Sequence, residues 1–224
     1  MPPNQKITQS DFESIPRQSK RLEKRRTDKP LDVECCGMKI AVEPGVYQTA
    51  QDSELMVESV KIASAENFLE VGCGTGIVSI SVAKKAAHGI GIDINDLAVE
   101  NSKRNAEAQG VGNVEFFVSD VFEKVEDKFD VIICNPPYTK HEAKDNIDRM
   151  FWDPEDEMKK KFFREVGEYL KPGGRIYFGW ADFADIDVGL PFRLAEANGF
   201  NLINTFSKPH GNDFNFYVFE FRAL

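Results

Sequence analysis

At 224 residues the chain is long enough for one domain with a sizeable core. Its formal charge of −9 disfavours a nucleic-acid partner, which calls for a basic surface, and leaves room only for a local basic patch. No apolar run approaches the length that spans a bilayer, and Met1–Lys6 does not open a signal peptide, so a cytoplasmic protein without a membrane partner is expected. None of the four cysteines forms a C-x-x-C pair, so neither a disulfide framework nor a metal site is expected.

Residues 1–30 form a basic arm, with seven basic against two acidic side chains between Arg17 and Lys29 and prolines at 2, 3, 16 and 30. Leu22 is its only strong apolar residue in that run, which predicts a solvated helix or a disordered arm. The sharper alternative is an arm that folds over the active site or grips an acidic partner. The rest of the chain, 31–224, reads as one catalytic domain. Alternation around Gly37 predicts a hairpin over 31–43. A loop, Pro44–Gln51, follows, and Asp52 or Ser53 is placed to cap a helix carrying Leu55, Met56 and Val60.

Phe68–Val71 reads as a buried strand, followed by Gly72, Gly74 and Gly76 and then by a helix over Ile77–Ala83. Strand, glycine turn and helix is the arrangement that aims free backbone N–H groups at a ligand. The dinucleotide fingerprint wants its third glycine one residue later than Gly76. Glu70, just before the loop, repels a pyrophosphate but can engage a cationic amine. Gly89–Asp93 is a second strand, ending in an acid placed to bind ribose hydroxyls. A ribose plus an aminocarboxylate describes S-adenosyl-L-methionine (SAM) better than NAD. At these residues the chain resembles the class I SAM-dependent methyltransferases, whose first two motifs look like Glu70–Gly76 and Asp93. The resemblance implies that Glu70, Gly72, Cys73, Gly74, Asp93 and Ile94 bind cofactor. The loop at 44–51 also resembles a segment of the HemK-type methyltransferases, which implies Tyr47, Gln48 and Thr49 at the methionyl end.

A helix over Leu97–Gln109, stopped by Gly110, leads to a third strand, Val114–Asp120. In the family an acid there accepts a hydrogen bond from the adenine amino group, which implies that role for Asp120, with Val121 beside it. Phe129–Cys134 is apolar enough to be a central strand and runs into Asn135-Pro136-Pro137-Tyr138. Two prolines remove two donors and stiffen the turn. The Asn135 amide oxygen and the Pro136 carbonyl can accept both protons of a planar –NH2, and Tyr138 can stack on it. This tetrapeptide resembles the motif of methyltransferases acting on glutamine amides, adenine N6 and some guanine N2. HemK-type N5-glutamine enzymes and the methyltransferase small-domain enzymes look nearest. Where the HemK type has a full N-terminal substrate-binding domain, this chain has only the charged arm.

Segment 139–154 is a long charged connection, and Asp153-Pro154 opens a helix with Met158, Phe162, Phe163 and Val166 on one face. Lys171–Gly174 predicts a tight turn into a strand over Arg175–Trp180. A helix over Pro191–Asn198 and strands Asn201–Phe206 and Phe214–Phe221 follow, the strands antiparallel and joined by Ser207–Asp213. The pattern predicts a Rossmann-like doubly wound α/β fold with a seven-stranded, mostly parallel sheet and an antiparallel last strand. Trp152, Trp180 and His210 are expected to wall the acceptor pocket. The function expected is N-methyl transfer from SAM to a planar amide or amino nitrogen, in a protein glutamine or a small molecule ahead of an RNA base. The alternative is an enzyme of small-molecule metabolism that uses another carbon of SAM and releases methylthioadenosine.

Overall fold

The structure, a computed structural model, describes residues 14–182, 186–211 and 214–224. In chain order they form α1 (Ser14–Thr27), β1 (Leu31–Cys35), β2 (Met38–Val42), α2 (Gln51–Ser59), β3 (Asn67–Val71), α3 (Ile77–Ala83), β4 (His88–Asp93), α4 (Asp96–Ala108), β5 (Val114–Val118), β6 (Phe129–Cys134), α5 (Glu157–Tyr169), β7 (Leu170–Ala181), α6 (Leu190–Ala197), β8 (Phe200–His210) and β9 (Phe214–Ala223). β3 to β9 make a seven-stranded sheet in the order β5-β4-β3-β6-β7-β9-β8. The first five strands are parallel, and β9 runs antiparallel between β7 and β8. This is the predicted doubly wound sheet.

Alternation of side chains along the strands explains the two covering layers. Phe68, Val131 and Ile133 pack with Leu55, Ile80 and Val99 of α2, α3 and α4 on one face. Leu69, Val71, Ile132 and Cys134 pack with Phe162 and Phe163 of α5 and Ala195 of α6 on the other. With both faces covered, the central strands are apolar at most positions, Glu70 of β3 and Asp130 of β6 being exceptions, which is why they read as near-continuous runs. The β1–β2 hairpin turns through Cys36 and Gly37 at φ of +52° and +72°, the pair of positive angles a two-residue hairpin turn demands. Among the described residues no helix is long and apolar enough to cross a membrane.

Four local expectations change. Helix α2 begins at Gln51 with Ala50 as its cap residue and no side-chain cap bond, so Asp52 and Ser53 are not caps; both are buried. β8 runs on through His210, which places Ser207–His210 in a strand and not in a loop; Pro209 is tolerated because β8 is the edge of the sheet. Asn212 and Asp213 lie outside the described residues. Lys171–Gly174 is a bulge inside β7, where the ladder steps from Phe129 opposite Leu170 to Val131 opposite Arg175. Finally, α1 is not a solvated arm. Gln18, Leu22 and Arg25, spaced four and three residues apart, are buried on one face. Leu22 packs on Phe151 and Trp152. Arg25 donates to the Val46 and Glu43 carbonyls at 3.1 and 2.7 Å, and Arg26 pairs with Asp145 and Asp148. The charges that made the segment look solvated are the groups that fasten it to the domain.

Candidate active site

The C-terminal ends of β3, β4, β5 and β6 open into a cavity of about 220 Å3. After β3, Gly72, Gly74 and Gly76 take φ of +81°, +54° and +79°, the region that favours glycine. A Cβ added at Gly72 or Gly74 would meet nothing within 4 Å, so these glycines leave space for a ligand and are not avoiding protein atoms. Their N–H groups, however, are not free. Gly72 and Cys73 donate to the Ile92 carbonyl at 2.8 and 2.9 Å, Gly76 to the Cys73 carbonyl at 2.7 Å, and Gly74 to Asp93 Oδ2 at 3.0 Å. In the first turn of α3 the Ser79 N–H and hydroxyl both donate to Glu70 Oε2. A loop with those four donors engaged and a carboxylate at the helix start is unsuited to a pyrophosphate.

Burial pushes the Glu70 carboxyl up to about 8, against the opposing pull of the Ser79 hydrogen bonds. A cationic amine beside it would favour the charged form. Asp93 accepts from Gly74 N and from Asn95 N at 3.0 Å, which fixes its carboxylate at the cavity while leaving lone pairs for a diol. Burial raises its pKa as well. Asp120 lines the cavity, half-exposed and paired with Lys161 at 3.4 Å. Beside it Val121 adopts φ of +52°, a strained angle for a β-branched residue. Space over the glycines, an acid for an amine and an acid for a diol fit SAM.

The other half of the cavity is organised around Asn135. Its Nδ2 donates to Asp52 Oδ2 at 2.9 Å, and the Tyr138 hydroxyl donates to Asn135 Oδ1 at 2.6 Å. Tyr47 donates to the same Asp52 oxygen at 3.1 Å. Burial pushes the hydroxyls of Tyr47 and Tyr138 well above the ordinary tyrosine range, so both stay protonated donors. Gly179 of β7 makes room for Asn135, since a Cβ there would stand 2.2 Å from Asn135 Oδ1. The far end of the turn is pinned by Lys159, whose fully buried ammonium donates to the Pro137 carbonyl at 3.0 Å and pairs with buried Asp153 at 2.9 Å. The methyltransferase small-domain family matches residues 37–191. The chain belongs to that family.

It is thus a class I SAM-dependent methyltransferase, and its relatives agree. A Methanocaldococcus jannaschii protein whose name assigns it to protein N5-glutamine methylation is 42% identical over 151 residues, covering 64% of this chain and 76% of that protein. The release factor glutamine methyltransferase of Fusobacterium nucleatum is 28% identical over 201 residues, 79% of this chain and 54% of that enzyme, so the match spans about half its length. The structure of M. jannaschii TYW2 in complex with AdoMet shares the fold, with a TM-score of 0.60 at 18% identity over 88% of both chains.

Most of the site residues expected from sequence meet at this one cavity. Tyr47, Thr49, Glu70, Gly72, Cys73, Gly74, Asp93, Ile94, Asp120, Val121, Asn135, Pro136, Tyr138 and Trp152 all line it. Gln48 does not; its neighbours Tyr47 and Thr49 face the cavity and it lies between them, as in an extended segment whose side chains alternate. Trp180 does not either. It is fully buried on the α5 side of the sheet, edge-on to Tyr138 at 5.9 Å, with its indole nitrogen unpartnered among the described residues. His210 stands behind the wall, stacked on Phe214 at 4.6 Å and bonded to Gln51, because the strand continues to it; Phe214 and Phe216 line the cavity in its place.

Sequence reasoning missed Asp52, Lys159, and Gln18 and Arg21 of α1. Gln18 accepts from Thr139 Oγ1 at 2.9 Å, and Arg21 lies over the Phe151 ring at 5.3 Å; both also line the cavity. Lys159 had a signal, since it lies on the apolar stripe of Phe162, Phe163 and Val166, where a lone lysine needs a buried partner. For Asp52 the cap reading competed, and no local pattern displaced it.

Proposed function

We propose that this methyltransferase transfers the methyl group of SAM to the side-chain nitrogen of a protein glutamine. The observation that carries the reading is the Asn135 amide, held by Asp52 through its –NH2 so that its oxygen, which accepts from the Tyr138 hydroxyl, is the end turned away from Asp52. When bound, SAM supplies an electrophilic methyl carbon on a sulfur that leaves with the bonding pair. Asn135 Oδ1 exchanges the Tyr138 hydroxyl for one proton of the acceptor –NH2, and the Pro136 carbonyl takes the other. The two bonds hold the nitrogen toward the methyl carbon and oppose delocalisation of its lone pair into the amide. As the nitrogen–carbon bond forms, one of the two protons passes to solvent, and S-adenosylhomocysteine remains. Trp152, Phe151 and Phe216 give the acceptor flat walls.

In the cofactor half, Glu70 takes the ammonium, Asp93 the ribose hydroxyls, and Asp120 with Val121 the adenine, while Tyr47 and Thr49 flank the methionyl end. The similarity to the two glutamine methyltransferases supports the choice of acceptor. The test is chromatography of SAM products with three acceptors offered separately: a release factor, a small amide such as free glutamine, and ribosomal or transfer RNA. S-adenosylhomocysteine accumulating with the release factor alone is the expected result. Accumulation with RNA or free glutamine alone, or methylthioadenosine in place of S-adenosylhomocysteine, would overturn it.

A further inference from the structure

Asp52 sits in the first turn of α2, but its carboxylate does not serve the helix. It is 4% exposed, and a buried carboxylate persists only where donors surround it. The groups around it come from two separate places in the chain, the loop before α2 and the turn after β6. Tyr47 O–H and Asn135 Nδ2–H donate to Oδ2 at 3.1 and 2.9 Å, and the Tyr138 hydroxyl, whose proton goes to Asn135 Oδ1, stands 3.4 Å from the same oxygen. Oδ1 is buried without a partner among the described residues, so the carboxylate is not there to saturate its own hydrogen bonds.

A carboxylate only accepts, whereas a primary amide has one accepting and one donating end. Facing Asp52, Asn135 can present only its –NH2. Its oxygen must then point the other way. Tyr138 cannot impose this choice, because a hydroxyl donates to an amide oxygen or accepts from an amide –NH2 equally well. We propose that Asp52 is the positioning residue that fixes the orientation of the Asn135 amide, and thereby makes Asn135 an acceptor toward the substrate nitrogen. This rests on the reading of Asn135 as the group that holds the acceptor –NH2. In the flipped orientation two –NH2 groups would face each other and no bond would form. The same arrangement discriminates against glutamate. Its carboxylate would meet the Asn135 oxygen with the Asp52 charge behind it, two acceptors against an acceptor.

The test uses Asp52→Asn, which keeps the shape and removes the orienting charge, with the exchanged pair Asp52→Asn/Asn135→Asp. In the exchanged pair the new amide donates to the new carboxylate, whose outer oxygen again faces the substrate nitrogen. For Asp52→Asn, kcat on a glutamine-bearing release factor should fall about 10- to 100-fold, the value of one hydrogen bond to a charged group, with SAM affinity changed less than about threefold. The exchanged pair should turn over faster than Asp52→Asn and faster than Asn135→Asp. A second readout needs no acceptor. The side-chain –NH2 protons of Asn135, assigned by their loss in Asn135→Ala, should exchange with solvent slowly in the wild type and roughly tenfold faster in Asp52→Asn. Wild-type turnover in Asp52→Asn, unchanged exchange, or an exchanged pair no better than Asn135→Asp would overturn the proposal. If exchange accelerates as expected while the wild type methylates no glutamine, Asp52 still orients the amide and the glutamine reading alone fails.

Discussion

In the half of the cavity proposed to take SAM, Glu70, Gly72, Gly74, Asp93, Asp120 and Val121 lie at or just past the ends of β3, β4 and β5, joined by Tyr47 and Thr49 from the loop before α2. The half around Asn135 draws on both ends of the chain: Gln18 and Arg21 from α1, Asp52 from α2, Trp152 from the loop after β6, and Phe214 and Phe216 from β9. The first half is fixed largely by the backbone, through loop N–H groups bonded to Ile92 and Asp93. The second is fixed by side chains reaching across the fold: Asp52 to Asn135, Lys159 to Pro137, Arg25 to Val46. The cofactor half should therefore tolerate damage elsewhere in the chain, and the acceptor half should not.

The largest expected effect tests that long-range fixation. Lys159→Met leaves buried Asp153 without its cation, holding the backbone N–H groups of residues 158 and 159, which should cost about 3–5 kcal/mol of stability in urea unfolding. An unchanged unfolding midpoint would show that Lys159 does not hold the turn. Asn135→Ala comes next and should separate the halves cleanly. Turnover should drop by about 10²- to 10³-fold while calorimetric SAM affinity stays within about threefold. Loss of SAM binding in this variant would merge the two halves into one. Asp93→Ala is the mirror experiment, with SAM Kd raised about 10- to 100-fold, or roughly 1.5–3 kcal/mol, at unchanged fold. Unchanged affinity would remove Asp93 from the ribose.

The smallest effect is a pH dependence within the cofactor half. Burial holds the Glu70 carboxyl at about 8 in the folded chain, above its ordinary 4.5. Between those values the folded state binds more protons than the unfolded state. Stability from this group is thus fully present at low pH and lost as pH rises toward 8. Glu70→Gln should flatten the fall in thermal midpoint between pH 5 and pH 8. A wild-type curve already flat in that range would contradict the assignment.

The same contrast explains what could be read from sequence. Glu70, Gly72, Gly74, Asp93 and Asn135 were legible because strand, turn and chemistry follow one another within a few residues. The sheet was legible for a related reason: strands covered on both faces carry unbroken apolar runs such as Val131–Cys134. Asp52 was not, since an acid in the first turn of a helix satisfies a local rule and only tertiary structure shows that it serves Asn135 instead. α1 was obscured in the same way, its buried face resting on one leucine and on an arginine whose guanidinium finds backbone carbonyls some twenty residues further on. Trp180 and His210 were misplaced by strand details, the facing of Trp180 toward α5 and the extension of β8.

Tandem mass spectrometry of a release factor incubated with this protein and SAM tests the central claim most directly. One methyl group on the side-chain nitrogen of a glutamine, matched by an equal amount of S-adenosylhomocysteine and absent with Asn135→Ala, is the expected result. An unmodified release factor alongside methylated RNA, or a methyl group placed on a residue other than glutamine, would contradict it.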